Sequence, residues 1–332
     1  MRIAAVVVTW NGARWIEACV NSLAAQDVCP DLVVVDNGSD DRTVEIVEGS
    51  RTRFAESGAS FTVHQLESNI GFPKGANHGL REVLAHPDRV EAVLLLNQDA
   101  MLEPGCIRAF ASELQNNPRA GCLGAKNLYP ENRLIQHAGG FLNSPRMVGL
   151  HHGHNEPDGD GHHNTVREVQ FVTGSSMLLR RAAIEEVGLF NEVFSPGYYE
   201  DVELCDRVRG HGWQVVFTPA ARVLHHESSS FSDDMARLRL AHRNRLIYLV
   251  PQLADTEFER DFISAETDFL EHHATFEEKR AISGAALDVL VDLPRITRRR
   301  LGVSRIPTPH TAAANRVVVG LRATCRSLLL PS

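Results

Sequence analysis

Four places in the chain hold residue types that could do chemistry. Asp36 ends the apolar run in "DLVVVDNGSDD". Asp99 ends "LLLNQDAML", just after Asn97 and Gln98. Glu200 and Asp201 open "YYEDVELCDRVRGHGW", and His225 and His226 end "QVVFTPAARVLHH". A carboxylate after a second strand can accept from a base N–H or a ribose hydroxyl. The alternative for Asp36 is an Asx-turn with Asn37. A carboxylate at a strand end, such as Asp99, caps a helix, holds a cation or does chemistry. The helix that follows can start from Glu103 and Pro104 without it. Mg2+ and Mn2+ usually take one or two carboxylates plus substrate phosphates. An acidic pair at a helix start is favoured by the macrodipole. It also suits a general base, which the helix end would ionise and burial would hold protonated. A neutral imidazole is a common metal ligand, although a histidine pair at a strand end also serves structure. Histidines 151, 152, 154, 162 and 163 lie in the Gly- and Asp-rich stretch "LHHGHNEPDGDGHHN". That setting predicts a long, mobile, solvated loop rather than a metal cluster.

These residues need elements to position them. "RIAAVVVTW", "DLVVVD", "FTVHQLE" and "EAVLLLNQDA" read as strands. Helical spacing separates them in "ARWIEACVNSLAAQ" and "DRTVEIVEGSRTRF", and "GFPKGANHGLREVLAH" is a Gly-rich turn opening a helix. Such β-α alternation predicts a parallel sheet covered on both faces. Ligands then bind outside the carboxyl ends of the strands. Residues 9–11, 36–39, 69–75 and 97–99 fall along that rim. "FVTGSSMLLRRAAIEEVGLF" predicts a strand entering a helix, and "QVVFTPAARVLHH" a strand pair. From Phe231 onward the pattern is helical only. The expected division is therefore a catalytic domain over 1–230 and a helical region over 231–332.

Composition narrows the class. The 332 residues are 43% hydrophobic and 23% charged, as in soluble globular proteins. A net charge of −8 argues against a nucleic-acid partner. "TWNGARW" after the first strand is no GxGxxG fingerprint, and no GxxxxGK[ST] loop occurs. Six cysteines without CxxC spacing, and no secretory signal, predict reduced thiols in a cytoplasmic protein. No apolar run is long enough to span a bilayer. From Pro294 onward there are eight arginines and no Asp or Glu. That basic tail fits an anionic membrane surface, at the inner face of the plasma membrane, or else a solvated helical end.

Taken in order, "VVVTWNGARWIEACVNSL", "VVVDNGSDD", "SNIGFPKGANHGL", "LLLNQDAML", "FVTGSSMLLRR…GLFNEVF" and "YYEDVELCDRVRGHGW" resemble family 2 glycosyltransferases over about residues 1 to 230. They look most like the bacterial branch with rhamnosyl- and galactofuranosyltransferases. The resemblance implies an α/β fold of GT-A type: a mostly parallel nucleotide-sugar-binding sheet with helices on both faces, plus a C-terminal helical extension. It implies inverting sugar transfer with a divalent cation, Mg2+ or Mn2+. By position, Asp36 would contact the nucleobase with Thr9 and Asn11 beside it. Asn69, Gly71, Gly75 and Asn77 would line the nucleotide-sugar. "NQD" would stand as the family's DXD motif, with Asp99 as metal ligand and Asn97 where the pattern has an acid. Asp201 matches the catalytic base. His225 matches a histidine that completes the metal site, with His226 as the fallback. The favoured donor is dTDP-rhamnose, with UDP-galactofuranose or another nucleotide-sugar behind it, and the acceptor a cell-surface glycan on a lipid carrier facing loop 140–165. The competing readings are a non-catalytic nucleotide-sugar-binding or scaffold protein of the same fold, and a nucleotidyltransferase. The first would have a damaged acidic pair or metal position. The second would want a basic Gly-rich loop after the first strand. Amphipathic segments between 255 and 292 fit packing on the catalytic domain or pairing into a homo-oligomer.

Overall fold

The computed structural model describes residues 1–86, 90–159, 161–227, 233–301 and 308–329. It opens with β1 (Ile3–Thr9), α1 (Ile16–Ala24), β2 (Asp31–Asp36), α2 (Thr43–Gly49), α3 (Arg51–Glu56), β3 (Phe61–Gln65), α4 (Phe72–Leu84) and β4 (Ala92–Asn97). β5 (Ala100–Leu102), α5 (Cys106–Asn116), β6 (Ala120–Leu128), β7 (Ile135–His137), β8 (Gly140–Asn143), β9 (Val148–His151) and β10 (Arg167–Glu168) follow. Then come β11 (Ser176–Arg180), α6 (Arg181–Val187), α7 (Glu200–Gly210) and β12 (Gln214–His225). The chain ends in α8 (Asp234–Leu249), α9 (Thr256–His272), α10 (Phe276–Val291), α11 (Leu293–Leu301) and α12 (Thr308–Leu329).

The main sheet runs β10-β12-β6-β11-β4-β1-β2-β3. The four strands legible in the first hundred residues pair in parallel as β4-β1-β2-β3. The apolar runs of β1, β2 and β4 are continuous because helices cover both faces, whereas β3 at the edge is only half-buried. β6 and β12 form a second parallel pair, and β11 runs antiparallel between β4 and β6. β1 and β4 are in register from Ile3↔Ala92 to Val8↔Asn97, so both strands end on the same rim.

Helix α4 begins after Gly71, whose φ of +86° suits a residue without Cβ. Inside the helix, a Cβ at Gly79 would lie 2.4 Å from Val6 Cγ1, and one at Gly75 2.9 Å from Val8 Cγ1. These two glycines let the helix lie against β1, a packing role rather than a turn.

Three local expectations change. "QVVFTPAARVLHH" is one strand, not two. It keeps pairing with β6 on both sides of an irregularity between Thr218 and Arg222. "DRTVEIVEGSRTRF" breaks into two helices around Ser50. Ala100–Leu102 joins the sheet against β12, and the next helix starts only at Cys106. Asp99 therefore sits between two strands and caps no helix.

The chain forms two compact units. One holds Met1–Phe141, Leu150–Phe190 and Glu200–Ser228; the other holds Leu142–Gly149, Asn191–Tyr199 and Ser229–Ser332. In the second unit, α12 buries Val317, Val318, Leu321 and Cys325, so its apolar face is used in packing. Several tail arginines are also engaged. Arg316 binds Glu259 through two bonds, Arg295 pairs with Asp292, and Arg300 donates to the Ile247 and Tyr248 carbonyls at the end of α8. Arg305 lies outside the described residues. Among the described residues, no helix is long and apolar enough to cross a membrane.

The second unit also buries a charge cluster that the sequence did not announce. Glu266 accepts from Arg245 at 2.9 and 2.5 Å and from Arg146 at 2.8 Å. Burial pushes the Glu266 carboxyl up, but the guanidiniums of Arg245 and Arg146 outweigh it and hold it at about 2. Removing one partner of a buried pair strands the other charge. Glu266→Ala is therefore expected to cost about 3–5 kcal/mol in urea unfolding. The folded pKa lies below the unfolded value. The carboxylate's contribution is complete above about pH 4.5 and is lost as pH falls toward 2. A pH series of urea midpoints that is flat across that window in wild type would contradict the cluster.

Candidate active site

The strand ends of the first unit are laced together by side chains. Asn37 donates its backbone N–H to the Thr9 carbonyl at 2.7 Å, and its side-chain Oδ1 accepts from Ile70 N–H at 3.1 Å. Asn11, at φ +47°, accepts from Asp40 N–H at 3.0 Å, and its own N–H donates to Ser39 Oγ at 2.8 Å. Asp36 accepts from the N–H and hydroxyl of Ser39 at 3.0 and 2.5 Å, so the local turn is formed. Asn69 accepts from Gly71 N–H at 2.9 Å. Thr9, Asn11, Asp36, Asn69 and Gly71 are thus brought to one rim. Gly75 lies against Val8. Asn77 is buried, and both ends of its amide bond the Phe190 backbone at 2.9 Å, which ties α4 to the segment after α6.

Gln98 does more than its place inside "NQD" announced. Its Oε1 accepts from Thr9 Oγ1 at 2.6 Å and Trp10 N–H at 2.9 Å, and its Nε2 donates to the Trp10 carbonyl at 3.2 Å. This clamps the end of β1 to the end of β4.

Asp99 is 5% exposed, and its carboxylate lies 3.3 Å from His225 Nε2. The antiparallel register His225↔Ala100 delivers that meeting. Asn97 contributes its amide at 3.4 Å from the same nitrogen. His226 turns elsewhere, with its ring stacked on Trp15 at 4.1 Å and Nδ1 toward Glu131 at 3.2 Å. His225, not His226, therefore reaches Asp99. Among the described residues, no three His, Cys, Asp or Glu side chains converge as a metal site. One carboxylate and one imidazole nitrogen still fit a cation whose remaining ligands come from phosphates.

The acidic pair sits at the start of α7. Asp201 accepts from Gly174 N–H at 3.1 Å and Val202 N–H at 2.8 Å. Burial pushes its carboxyl up against the pull of those two donors. Glu200 is buried, and among the described residues its Oε2 meets no hydrogen-bond partner. Burial and the adjacent Asp201 charge hold its carboxyl well above the usual range. Two neighbouring buried carboxyls do not both ionise easily, so Asp201, the better solvated by donors, carries the charge. At this helix start burial outweighs the macrodipole. Just ahead, Tyr198 and Tyr199 have φ of +74° and +68°, a conformation that costs a non-glycine residue about 1–2 kcal/mol. Asn244 holds that turn by donating to the carbonyls of Phe194, Gly197 and Tyr198.

The turn 173–175 joins the two chemical centres. Gly174 N–H binds Asp201, and the Ser175 carbonyl accepts from Asn97 N–H at 3.0 Å. Asn127 donates to Ser175 Oγ at 2.8 Å from below. "TGSS" reads as part of a strand by hydropathy. Its Gly-Ser composition was the available signal for a turn.

The described residues of the His-rich stretch make several polar contacts with the sheet. Buried Lys126 binds Asp158 at 2.9 Å and also Asn164, and Arg222 bridges Asp158 and Glu103 at 2.5 and 2.7 Å. His137 and His151 meet through their Nδ1 atoms at 2.6 Å. Burial lowers both imidazoles, His151 to about 4, so they pack as neutral rings. Asp160 lies outside the described residues.

Residues 1–248 match the family model described as glycosyltransferase like family 2. The chain belongs to that family. It is a glycosyltransferase, of the class that transfers hexosyl groups. It is 29% identical over 270 residues to the N-acetylglucosaminyl-diphospho-decaprenol L-rhamnosyltransferase of Mycobacterium tuberculosis, covering 74% of this chain and 82% of that one. A structure of S. aureus TarS 1-349 superposes with a TM-score of 0.56 at 18% identity, over 99% of this chain and 91% of that one. GalNAc-T7 with UDP, GalNAc and Mn2+ superposes with a TM-score of 0.61 at 12% identity, over 89% and 57%. The fold of this glycosyltransferase is GT-A.

The Gln98 clamp is directly testable. Gln98→Leu leaves the Trp10 N–H without its acceptor and should lower stability by about 1–3 kcal/mol in urea denaturation. Wild-type stability in that variant would remove the clamp.

Proposed function

We propose that this glycosyltransferase transfers rhamnose from dTDP-rhamnose, with inversion, to a hydroxyl of a lipid-linked cell-surface glycan. One observation carries the mechanistic part: the turn 173–175 bonds both the Asp201 carboxylate and the N–H of Asn97, two residues before the Asp99 that meets His225. The named rhamnosyltransferase relative supports the donor sugar and the lipid-linked acceptor. The rim residues Thr9, Asn11, Asp36, Asn69 and Gly71 receive the nucleotide, with Gly75 and Asn77 shaping the helix behind it and Asn97 beside the diphosphate. A divalent cation, Mg2+ or Mn2+, held by Asp99, His225 and the diphosphate, would neutralise charge on the leaving group. Asp201 accepts the proton of the acceptor hydroxyl as that oxygen attacks C1 from the face opposite the diphosphate. Glu200 stays protonated beside it, which keeps the pair's single negative charge on the base. A base with a raised pKa is better matched to neutral pH than an ordinary carboxylate. The loop 140–165 borders the acceptor.

The test is donor binding and turnover over dTDP-, UDP- and GDP-sugars, with Mn2+ or Mg2+ and with EDTA. Asp201→Asn should keep donor affinity and lose about 10²–10⁴-fold in kcat. Asp99→Ala should weaken metal-dependent donor binding. The acid limb of kcat/KM should lie above the ordinary carboxylate pKa of about 4, because deprotonated Asp201 is lost as pH falls through its raised value. The anomeric configuration of the product, read by NMR, decides inversion. Binding of no donor would favour the non-catalytic reading, and full activity in EDTA would remove the cation.

Peripheral contact with anionic membrane, at the inner face of the plasma membrane, is proposed through charge alone. The apolar face of α12 is spent in packing, whereas Arg298, Arg299 and Arg326 are exposed and Arg322 is half-buried. Each such arginine near an anionic surface contributes about 1 kcal/mol. Vesicles containing anionic lipid should bind the protein at low salt and release it at high salt. Substituting these four arginines with Gln should abolish binding; salt-independent binding would contradict an electrostatic contact.

A further inference from the structure

The ring of His225 has a second neighbour. Its Nδ1 lies 2.6 Å from Gln136 Oε1 in a buried contact. Gln136, on β7, donates its amide to Glu227 Oε2 at 3.2 Å, and Tyr129 donates its hydroxyl to the same oxygen at 3.0 Å. The polarity of this chain is fixed from its outer end. A carboxylate only accepts, so the Gln136 NH2 faces Glu227. Its carbonyl oxygen must then face His225, and an amide oxygen also only accepts. The hydrogen of a neutral His225 is therefore on Nδ1, and the lone pair is on Nε2. That lone pair lies 3.4 Å from Asn97 Nδ2, which donates to it, and 3.3 Å from the Asp99 carboxylate. Two acceptors thus meet beside one amide donor, an arrangement a cation fits once the Asn97 amide gives way.

We propose that Gln136, braced by Glu227 and Tyr129, is a positioning residue that holds His225 in the Nδ1–H tautomer and so presents Nε2 as a metal-ligating atom. The proposal rests on the metal reading above for its use, but the tautomer stands on this hydrogen-bond chain alone. Histidines that bind metals are oriented in this way by the partner of their other nitrogen.

Two features of the fold are explained by it. Glu227 has a φ of +49°, an uncommon conformation for a non-glycine residue that clusters at functional sites. It is the residue that sets the polarity of the chain. The His-rich stretch also gains a role. It brackets β7 through Ala138 N–H to the His152 carbonyl at 3.1 Å, Asn155 N–H to the Ile135 carbonyl at 2.8 Å, and Ile135 N–H to the Glu156 carbonyl at 2.8 Å. His154 Nδ1 donates to the Gln136 carbonyl itself at 3.2 Å. The stretch fixes the backbone from which Gln136 reaches His225.

The experiment has two arms. The first is metal-free 15N NMR of the histidine rings at about pH 8, above the ordinary imidazole pKa, with His225 assigned by its loss in His225→Ala. Wild type should show Nδ1 protonated and Nε2 bare, and Gln136→Leu should lose that preference. The second is Mn2+ affinity in the presence of dTDP or UDP, read by electron paramagnetic resonance. Gln136→Leu should weaken it about 10-fold or more. The polarity-exchanged double variant, Gln136→Glu with Glu227→Gln, rebuilds each bond. The amide introduced at position 227 would donate to the carboxylate introduced at position 136 and accept from Tyr129. This variant should restore both readouts and covers the case in which Gln136→Leu folds poorly. A protonated Nε2 in wild type, or an unchanged tautomer and Mn2+ affinity in a folded Gln136→Leu, overturns the proposal. A wild type that binds no Mn2+ overturns the metal reading instead, while the ring nitrogens still decide the tautomer.

Discussion

Two hydrogen bonds from the turn 173–175 are the constraint on which the site depends. Gly174 gives its N–H to Asp201, and Ser175 gives its carbonyl to the Asn97 N–H. The first fixes the proposed base; the second fixes the end of the strand that carries Asp99. The second could not form if β11 ran parallel to β4. An antiparallel strand begins where its neighbour ends, so the turn before Ser176 lies beside Asn97. The sheet changes direction at the place where two chemical groups must meet.

Around that turn, polar side chains do what a sheet rim otherwise leaves undone. Strand ends carry unpaired backbone groups, and unpaired buried groups are costly. The side-chain amides of Asn37, Gln98 and Asn77 each bond backbone atoms of a distant segment. An amide suits this task because it offers a donor and an acceptor in one plane. The rim is thereby ordered before any ligand arrives, which spares the ligand the entropy of ordering it.

Charge is handled differently in the two units. In the first, burial and the neighbouring Asp201 charge push the Glu200 carboxyl up, and burial raises Asp201 as well. In the second, Glu266 is met by two guanidiniums and stays ionised. Both are buried carboxylates with opposite outcomes. The difference is the neighbour, not the depth. An unpaired pair is tunable and serves proton transfer, whereas a saturated pair holds structure.

The sequence by itself determined the parallel half of the sheet. Three of its four strands are continuous apolar runs, its helices have period-3.6 apolar faces, and those patterns are local. It also determined which residues lie on the rim, because a strand's end is legible where the apolar run stops at Thr9, Asp36 and Asn97. The family was legible for the same reason: its motifs are rim segments in a fixed order. Tertiary structure decided what those side chains do. Whether Asp36 closes a turn, whether Asn77 faces a ligand or the Phe190 backbone, and whether His225 or His226 meets Asp99 depend on partners far along the chain. Gln136 and Glu227 carry no local signature at all. A hydrogen bond across 89 residues leaves no trace in periodicity or composition. It exists only once β7 and β12 have been laid on either side of β6.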